Sequence, residues 1–399
     1  MITVVGIGAD GWSGLSERAR AAILSADEVI GSRRQLATLP EGAARRRTLP
    51  SPLAPLIDEL AAANGDRNVA VLASGDPMLH GIGATLARRI RPGRLSVISH
   101  PSAFALACAR LGWAEADVEL VSAVAHASAV LARVIQPGRR IVVYATGSGG
   151  AAAIARLVRE AGYGASRFVV LAQLGGPEEA VVESTADAWG ERTADPLHAV
   201  AIECVRDPRA PLLPLVPGLP DDAYESDGAL TKRHVRAATL AALAPSPGGV
   251  LWDVGAGSGS IAIEWLRAEP TARAIAIEQR PDRAERIARN AATLGVPTLE
   301  IVTGEAPEAL AGLSSPAAIF IGGGLADSGL LSRCWEALES GGRIVANAVT
   351  LEGEAMLIAA REAHGGELVR IEVAHAEPIG RLTAWRPALA IVQWSCAKR

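Results

Sequence analysis

Short apolar runs alternate with amphipathic stretches through most of the first 206 residues. Each of the runs ITVVGIG, NVAVLASG, RLSVISH, RIVVYATG, RFVVLAQLG and HAVAIECVR has the length and composition of a buried strand. Helical spacing of apolar residues appears between them, in SERARAAILSA, GIGATLARRI, GAAAIARLVREAG and the stretch near 102–111. This alternation predicts an α/β fold in two lobes that divide near residue 100.

The pattern is more regular after residue 229. A helix is predicted at about 231–243, and the runs GVLWDVGAG, ARAIAIE, LEIVTGEA, AAIFIGGG and RIVANAVT then predict strands, each followed by a helical segment. Such an order gives five parallel strands. The last two runs, ELVRIEVAHAE and ALAIVQWS, are joined by a loop with Gly380 and no helix, so we expect them to pair antiparallel at one edge of that sheet.

A proline-rich segment separates the two patterns. In residues 207–228 proline recurs every third position from Pro208 to Pro220. Because each proline fixes φ and removes a hydrogen-bond donor, and because three residues make one turn of polyproline II, the segment predicts a semi-rigid spacer. We therefore predict domains at 1–206 and 229–399 with a linker at 207–228.

Length, composition and charge limit the classes of protein. A chain of 399 residues is too long for one ordinary core, and 49% hydrophobic with 21% charged residues is typical of compact proteins. The formal net charge of −4 argues against a partner held by nonspecific attraction to nucleic-acid phosphates. The sequence shows no apolar run of about 18 residues and no basic start, so we expect a cytoplasmic protein without a membrane partner. The four cysteines are widely spaced, and no metal is expected.

One glycine-rich loop carries a clear chemical signal. Gly255, Ala256, Gly257, Ser258 and Gly259 follow a predicted strand and precede a helical segment. Glycines let a ligand approach the backbone, and the helix start offers free N–H donors. About 19 residues later, Glu278 ends the next strand and is placed to accept both hydroxyls of a ribose. The pattern indicates a nucleoside-containing ligand. One alternative is that this ligand is a nicotinamide dinucleotide, and another is that the glycine turn binds no ligand.

The spacing G-x-G-x-G with Asp253 in front resembles the class I S-adenosylmethionine (SAM) methyltransferases, which have a Rossmann-like fold. The resemblance implies that Asp253 orients the methionine end of the cofactor and that Glu305 and Ala306 contact its adenine. With LTKRHVRA, GEAPEAL and IFIGGG, residues 225–395 resemble the cobalamin-biosynthetic family that methylates C15 and decarboxylates the C12 acetate. This implies a further cofactor contact at Thr231, and His234 stands where that family often has glutamate.

The first half resembles a different family. VVGIGADGW, LASGDPMLHGIG, SHPSAFALACARLGW and YATGSGG together resemble the tetrapyrrole (corrin/porphyrin) methylases, most closely those that methylate C5 of the same intermediate. In that family SAM lies between two α/β lobes, and Gly6 and Gly8 would border the substrate trough, although Ala9 replaces the usual proline. The cofactor contacts that the resemblance implies are Ser74, Gly75, Asp76, Leu79, Ser102 and Ala103.

Together the two resemblances imply a bifunctional methyltransferase with two SAM sites. It would methylate C5 and C15 of a precorrin-6 intermediate and release CO2 to give precorrin-8, and family tendency suggests a homo-oligomer. Because the substrate carries many carboxylates, we expect Arg33 and Arg34 to bind it, with Arg233, Arg236 and Arg381 as further candidates. Arg45–Arg47 is expected to be an exposed loop. The alternatives are an RNA methyltransferase with an accessory SAM-binding domain, and a protein with one active half and one docking half.

Overall fold

The computed structural model describes residues 1–42, 45–62, 67–122, 127–325 and 329–399. The chain divides into two compact units. The first contains residues 1–128 and 137–210, and the second contains residues 129–136 and 211–399. The change of unit at residues 210 and 211 falls inside the proline-rich segment.

The first sheet of the first unit is entirely parallel, in the order β3-β2-β4-β1-β5. Its strands are β1 Ile2–Ile7, β2 Glu28–Gly31, β3 Arg45–Thr48, β4 Val69–Ser74 and β5 Leu95–Ile98. The accompanying helices are α1 Glu17–Leu24, α2 Arg33–Ala37, α3 Ala54–Ala62 and α4 Ile82–Ala87. Ser16 caps α1 by accepting from the Ala19 amide.

The expectation that Arg45–Arg47 is a loop was wrong. These residues belong to β3, which pairs in parallel with β2 at the edge of the sheet. Arg47 forms a two-bond ion pair with Glu59, and Arg46 donates to the carbonyl oxygen of Leu36. Charged side chains are common on edge strands. In β3 they replace the apolar alternation by which other strands are recognised.

A second, mixed sheet follows in the same unit, in the order β6-β7-β10-β8-β9. Its strands are β6 Val118–Ser122, β7 Arg140–Tyr144, β8 Arg167–Ala172, β9 Ala180–Thr185 and β10 His198–Glu203. The helices of this part of the chain are α5 Ala103–Leu111, α6 Ala127–Val134, α7 Gly150–Glu160 and α8 Ala186–Trp189. Two sheets, one ending at residue 98 and the other beginning at 118, confirm the predicted pair of lobes.

The second unit is built on a seven-stranded sheet in the order β13-β12-β11-β14-β15-β19-β16. The strands and helices are α9 Arg233–Leu243, β11 Val250–Val254, α10 Ser260–Ala268, β12 Arg273–Glu278, α11 Pro281–Thr293, β13 Glu300–Thr303, β14 Ala318–Ile321, α12 Leu330–Ala337, β15 Arg343–Ala348, α13 Leu351–His364, β16 Glu367–Ile371, β17 Ala374–Ile379, β18 Leu382–Pro387 and β19 Ile391–Ala397. Buried apolar residues cover both faces of the sheet, with Trp265 on one face and Trp394 on the other.

The predictions for this sheet are confirmed with one exception. Strands β11 to β15 are parallel, and β16 pairs antiparallel with β19 at one edge. However, residues 374–387 do not extend that edge, because they form a separate two-stranded hairpin of β17 and β18. Ile379, Leu382 and Trp385 of the hairpin are exposed.

The proline-rich segment is not a free spacer, since its residues from 211 onward belong to the second unit and pack there. The buried carboxylate of Glu264 on α10 accepts from the Gly218 and Leu219 amides and from the Tyr224 hydroxyl. Arg267 on the same helix donates to the Leu213 carbonyl oxygen at 2.9 Å. Buried carboxylate and guanidinium groups thus satisfy backbone groups of a segment that forms no ladder.

Short 3-10 turns occur at Gly11–Gly14, Glu115–Asp117, Asp221–Ala223 and Glu308–Leu310. Among the described residues, no helix is both long and apolar enough to cross a membrane.

Candidate cofactor and substrate sites

The glycine loop of the second unit lies at the carboxyl end of β11, where the strand order reverses. β12 pairs with one side of β11 and β14 with the other, which is the position at which open α/β sheets bind ligands. The amides of Gly255 and Ala256 donate to the Ile277 carbonyl oxygen at 3.0 and 3.1 Å, so the loop is tied to β12.

Two glycines of this loop cannot be replaced without strain. Gly257 has a φ of +60°, and a Cβ there would lie 2.8 Å from the Ala229 carbonyl oxygen. Gly259 has a φ of +76°, and its Cβ would lie 2.7 Å from Cγ2 of Ile287. The loop therefore needs glycine both for its left-handed backbone and for close packing.

Asp253 is buried immediately before the loop. Its Oδ2 accepts from the Ala262 amide in the first turn of α10 at 3.0 Å. Its Oδ1 is buried without a hydrogen-bond partner among the described residues, and so is Oγ of Ser258. Burial raises the pKa of Asp253 to about 7, opposed by the Ala262 hydrogen bond and reinforced by the charge of Glu278. A ligand with a cationic donor would satisfy this acceptor, so the residues fit the amino group of SAM.

Glu278 ends β12 and is 3% exposed. Its Oε2 accepts from the Gly257 amide at 2.8 Å, and its Oε1 accepts from the Arg280 amide at 3.0 Å. These bonds fix the carboxylate in one orientation. Since each carboxylate oxygen accepts more than one hydrogen bond, ribose hydroxyls can still be bound.

A cavity of about 1370 Å³ opens in front of the loop. The predicted cofactor residues in its wall are Thr231, Gly255, Ala256, Gly257, Glu278, Glu305 and Ala306. Asp253, Ser258 and Gly259 are not part of the lining. The structure thus brings seven of the predicted residues to one cavity, with Asp253 buried at the base of the loop.

The cavity wall also contains residues that the sequence analysis did not assign. A basic run, Lys232 to His234, begins α9, and Lys232 caps this helix without a side-chain hydrogen bond. The motif IFIGGG contributes Gly322–Gly324, and the segment around the hairpin contributes Val373, His375 and Leu389. The basic run and the glycines were visible as patterns, whereas no local signal placed residues more than 100 positions later in the same wall.

Two histidines of this wall lie close together. The rings of His234 on α9 and His375 on β17 have their centroids 5.8 Å apart. Both residues are exposed and belong to the cavity wall. Cations at a helix N-terminus oppose the helix dipole, so an anionic ligand would offset the unfavourable charge of Lys232 and Arg233.

The three candidate substrate-binding arginines of the second unit lie in different environments. Arg233 lines the cavity. Arg381 is exposed in the turn of the hairpin. The prediction that Arg236 binds the substrate was wrong, because this residue is 0% exposed. Its guanidinium donates to Glu264, Asp221 and the carbonyl oxygens of Thr231 and Leu219.

In the first unit, the two predicted cofactor segments lie against each other. Gly75 has a φ of +59°, and a Cβ there would lie 3.1 Å from Cα of Ser102. Oδ1 of Asp76 accepts from the Met78 amide at 2.8 Å, and the Leu79 amide donates to the Asp76 carbonyl oxygen at 3.2 Å. These bonds fix the turn after β4.

The second of these segments begins α5. Ser102 caps the helix by accepting from the Ala105 amide at 3.0 Å, and Ala103 is its first residue. Next to them, the Tyr144 hydroxyl at the end of β7 accepts from the Phe104 amide at 3.0 Å. Burial raises the pKa of Tyr144. The predicted residues of the first unit therefore converge, with Tyr144 as a neighbour that sequence reasoning missed.

Arg34 reaches this site from α2. Its Nη2 lies 3.4 Å from Oγ of Ser74, which also accepts from Gln35 at 3.2 Å. Burial lowers the pKa of the Arg34 guanidinium. Arg33 precedes it on the same helix and is exposed. The structure thus joins one predicted substrate residue to a predicted cofactor residue.

A smaller cavity of about 360 Å³ lies within the first unit. Its wall includes Gly6, Asp10, Ser99, His100 and Leu106. None of the predicted cofactor residues is in this wall. Gly6 connects the two regions, since a Cβ on Gly6 would collide with the Gly75 carbonyl oxygen.

Two family models match this chain. Residues 1–189 match the tetrapyrrole (corrin/porphyrin) methylases, and residues 222–398 match the precorrin methyltransferase domain. One curated relative, precorrin-6Y C(5,15)-methyltransferase [decarboxylating] from a Sinorhizobium species, is 46% identical over 400 residues, covering all of this chain and 96% of the relative. A protein of the same name from Mycobacterium tuberculosis H37Rv is 44% identical over 403 residues, covering all of both chains.

A solved structure also matches. The C-terminal domain of precorrin-6Y C5,15-methyltransferase from Rhodobacter capsulatus is 50% identical, covers 47% of this chain and all of that domain, and has a TM-score of 0.45.

Proposed function

Because the chain belongs to the precorrin-6Y C5,15-methyltransferase (decarboxylating) family, we propose that it methylates a precorrin at C5 and C15 from SAM bound at two sites and removes the C12 acetate carboxylate. The observation that carries the proposal is the glycine loop with buried Asp253 at its base, facing a cavity of about 1370 Å³. The first unit performs the C5 methylation, and the second performs the C15 methylation with decarboxylation. The family models that match 1–189 and 222–398 support this division.

In the second site, the unpartnered Oδ1 of Asp253 and the fixed carboxylate of Glu278 hold the two polar ends of SAM. Thr231 and the segment of Glu305 and Ala306 complete the wall around it. When bound, SAM supplies an electrophilic methyl group. The protein contributes mainly by holding the reacting atoms close and in line, because a meso carbon between pyrrole-type rings is already electron rich.

The basic start of α9 binds the substrate. Lys232 and Arg233 face the cavity beside Thr231, so acetate and propionate carboxylates bound there would lie next to the cofactor. A guanidinium can hold a carboxylate through two parallel bonds, which fixes the orientation of the macrocycle. The apolar side chains of Val373 and Leu389 would contact the ring itself.

Proton balance gives the two histidines a role. Decarboxylation breaks the bond between the methylene carbon and the carboxylate, and its electron pair enters the conjugated ring. The methylene carbon then takes up one proton to become a methyl group, while methylation of C15 releases one proton from that carbon. His234, next to the cofactor residues, would accept the C15 proton, and His375 would return a proton to the methylene carbon. A ring separation of 5.8 Å suits two positions on one macrocycle.

In the first site, Ser74 to Asp76, Leu79, Ser102 and Ala103 hold the other SAM molecule. Arg34, donating to Ser74, binds a substrate carboxylate beside it, and the exposed Arg33 binds a second. Burial lowers the pKa of Arg34, but the ordinary pKa of a guanidinium lies far above 7. Arg34 therefore stays charged at neutral pH.

We also propose a cellular location and partners for this enzyme. We place the enzyme in the cytoplasm, with the tetrapyrrole as its partner and without nucleic acid, consistent with the net charge of −4. A homo-oligomer is supported by the hairpin of β17 and β18, because an isolated two-stranded sheet with exposed Ile379, Leu382 and Trp385 gains stability from a partner.

The test uses the full chain with precorrin-6Y and SAM. Tandem mass spectrometry of the product should find two added methyl groups, one at C5 and one at C15, and the loss of one CO2. Titration calorimetry with SAM should give two sites per chain. A single site would favour a docking half, and stabilisation against heat by RNA but not by the macrocycle would favour the RNA methyltransferase.

A further inference from the structure

A pair of titratable side chains faces the smaller cavity of the first unit. Asp10 follows β1 and His100 follows β5, and these neighbouring parallel strands bring both residues to the same carboxyl edge. Nε2 of His100 lies 3.4 Å from Oδ1 of Asp10. That oxygen is buried and has no hydrogen-bond partner among the described residues. No role given above involves this pair.

Three glycines leave room for the two side chains. A Cβ on Gly8 would lie 2.6 Å from both Oδ1 of Asp10 and Nε2 of His100. A Cβ on Gly14 would overlap the Asp10 carboxylate, and one on Gly6 would lie 2.9 Å from the His100 side chain. The run GIGADGWSG is therefore shaped around this pair.

The chemistry of C5 methylation requires a proton acceptor. The ring carbon attacks the methyl group, the bond from methyl to sulfur breaks, and its electron pair remains on sulfur. The C5–H bond must then break so that its electron pair restores the conjugated ring, which releases one proton. Unlike the C15 reaction, this step has no decarboxylation to consume that proton.

We propose that His100 accepts the proton lost from C5 and that Asp10 is its positioning residue. The inference rests on the proposed assignment of C5 methylation to the first unit. A proton on Nε2 faces the Asp10 carboxylate, which leaves the Nδ1 lone pair as the base. When His100 becomes an imidazolium, Asp10 stabilises the new charge.

The surroundings strengthen this interaction. Asp10 and His100 are the titratable groups in the described wall of the cavity. The rest of that wall consists of the apolar or neutral residues Gly6, Gly14, Leu15, Ser16, Ala19, Ser99, Pro101, Leu106 and Gly175. Because the described wall holds no other charged group, the attraction between carboxylate and imidazolium is screened less than at an exposed surface.

The test measures C5 and C15 methylation separately on the full chain with precorrin-6Y and SAM, from pH 5.5 to 9. His100→Gln should slow C5 methylation about 100-fold and leave the C15 reaction on the same chain unchanged. Asp10→Asn should lower the kcat of C5 methylation about tenfold and leave the KM for precorrin-6Y unchanged, because the imidazolium loses its stabilising charge. Asp58→Asn, an exposed carboxylate on α3, is the matched control.

A C5 rate within threefold of wild type in His100→Gln overturns the inference. So does a raised KM with an unchanged kcat in Asp10→Asn, since that result would place Asp10 in substrate binding and not in the positioning of His100. Should His100→Gln fail to fold, the kcat and KM of Asp10→Asn decide. A wild-type protein that leaves C5 unmethylated instead refutes the proposed function.

Discussion

Oδ2 of Asp253 accepts from the Ala262 amide, while Oδ1 of the same carboxylate is buried without a partner in the part of the chain that the structure describes. The first contact fixes β11 to the start of α10, and the second leaves an acceptor for a ligand. One residue therefore connects the geometry of the loop to its binding capacity.

The stability of the second unit should depend on pH because of the Asp253 carboxylate. Burial raises its pKa from 3.8 to about 7, so the native state keeps a proton that the unfolded state releases between about pH 4 and pH 7. Stability should fall as pH rises through that window and become level above it. Asp253→Asn should remove this dependence, measured by thermal unfolding between pH 4 and pH 8.

Cofactor binding should change in the opposite direction. A cationic amino group favours the ionised carboxylate, so the affinity of the second site should rise as pH approaches 7 and Asp253→Asn should weaken it about tenfold at pH 8. Calorimetry in buffers of different ionisation enthalpy would show proton release on binding near pH 6. An affinity that does not vary with pH would contradict this.

Glu278→Ala should weaken SAM binding in the second site and spare C5 methylation. The change removes the proposed ribose acceptor and the partner of the Gly257 and Arg280 amides. The measurement is the C15 rate at limiting SAM, with Glu362→Ala on the exposed face of α13 as control. An unchanged C15 rate would count against the ribose assignment.

Gly257→Ala should abolish cofactor binding in the second site. The new Cβ would lie 2.8 Å from the Ala229 carbonyl oxygen at a φ of +60°. Gly248→Ala is a matched control because Gly248 has a φ of +72° with nothing within 4 Å. In both variants, an alanine at positive φ costs about 1 kcal/mol. An equal loss of SAM binding in both would therefore show that the close approach of residue 257 to the Ala229 carbonyl oxygen is unimportant.

Arg236→Met should destabilise the second unit by about 3–5 kcal/mol, because it leaves the buried Glu264 carboxylate without its cation. Arg273→Met removes an exposed arginine 3.9 Å from Glu300 and should cost less than about 1 kcal/mol. Denaturant unfolding measures both. Equal stability of the two variants would show that the buried pair does not anchor the segment.

His234→Gln and His375→Gln should slow different steps of the second site. His234→Gln should slow C15 methylation, because it removes the acceptor of the C15 proton. His375→Gln should allow C15 methylation but slow formation of the C12 methyl group, because the methylene carbon lacks its proton donor after CO2 has left. Mass spectrometry of the products measures both rates. His364→Gln is the control, since His364 stacks on Trp335 and is not part of the cavity wall. Wild-type rates of C15 methylation in His234→Gln and of C12 methyl formation in His375→Gln would refute these roles.

The strands with apolar alternation and the helices with a clear cap were predictable from the sequence. The glycine loop was also predictable, because G-x-G-x-G after a buried strand constrains the backbone at one place. The edge strand β3 was missed because its exposed arginines break the pattern. The hairpin was missed because exposed β17 and β18 bury no face that would impose alternation.

Site residues were harder to predict when their placement depends on distant segments. Arg236 was a candidate substrate ligand, yet Glu264 and the proline-rich segment hold it in the core. His375 lies 141 positions after His234, and only the fold brings the two rings together. Asp10 and His100 lie in two separate motifs, and only the neighbouring parallel strands β1 and β5 bring their side chains together.

Residues 129–136 belong to the second unit although 137–210 belong to the first. A gene cut at the proline-rich segment would therefore deprive the C-terminal product of an eight-residue piece of its own body. Engineers who wish to separate the two activities would do better to inactivate one pocket within the intact polypeptide than to split it.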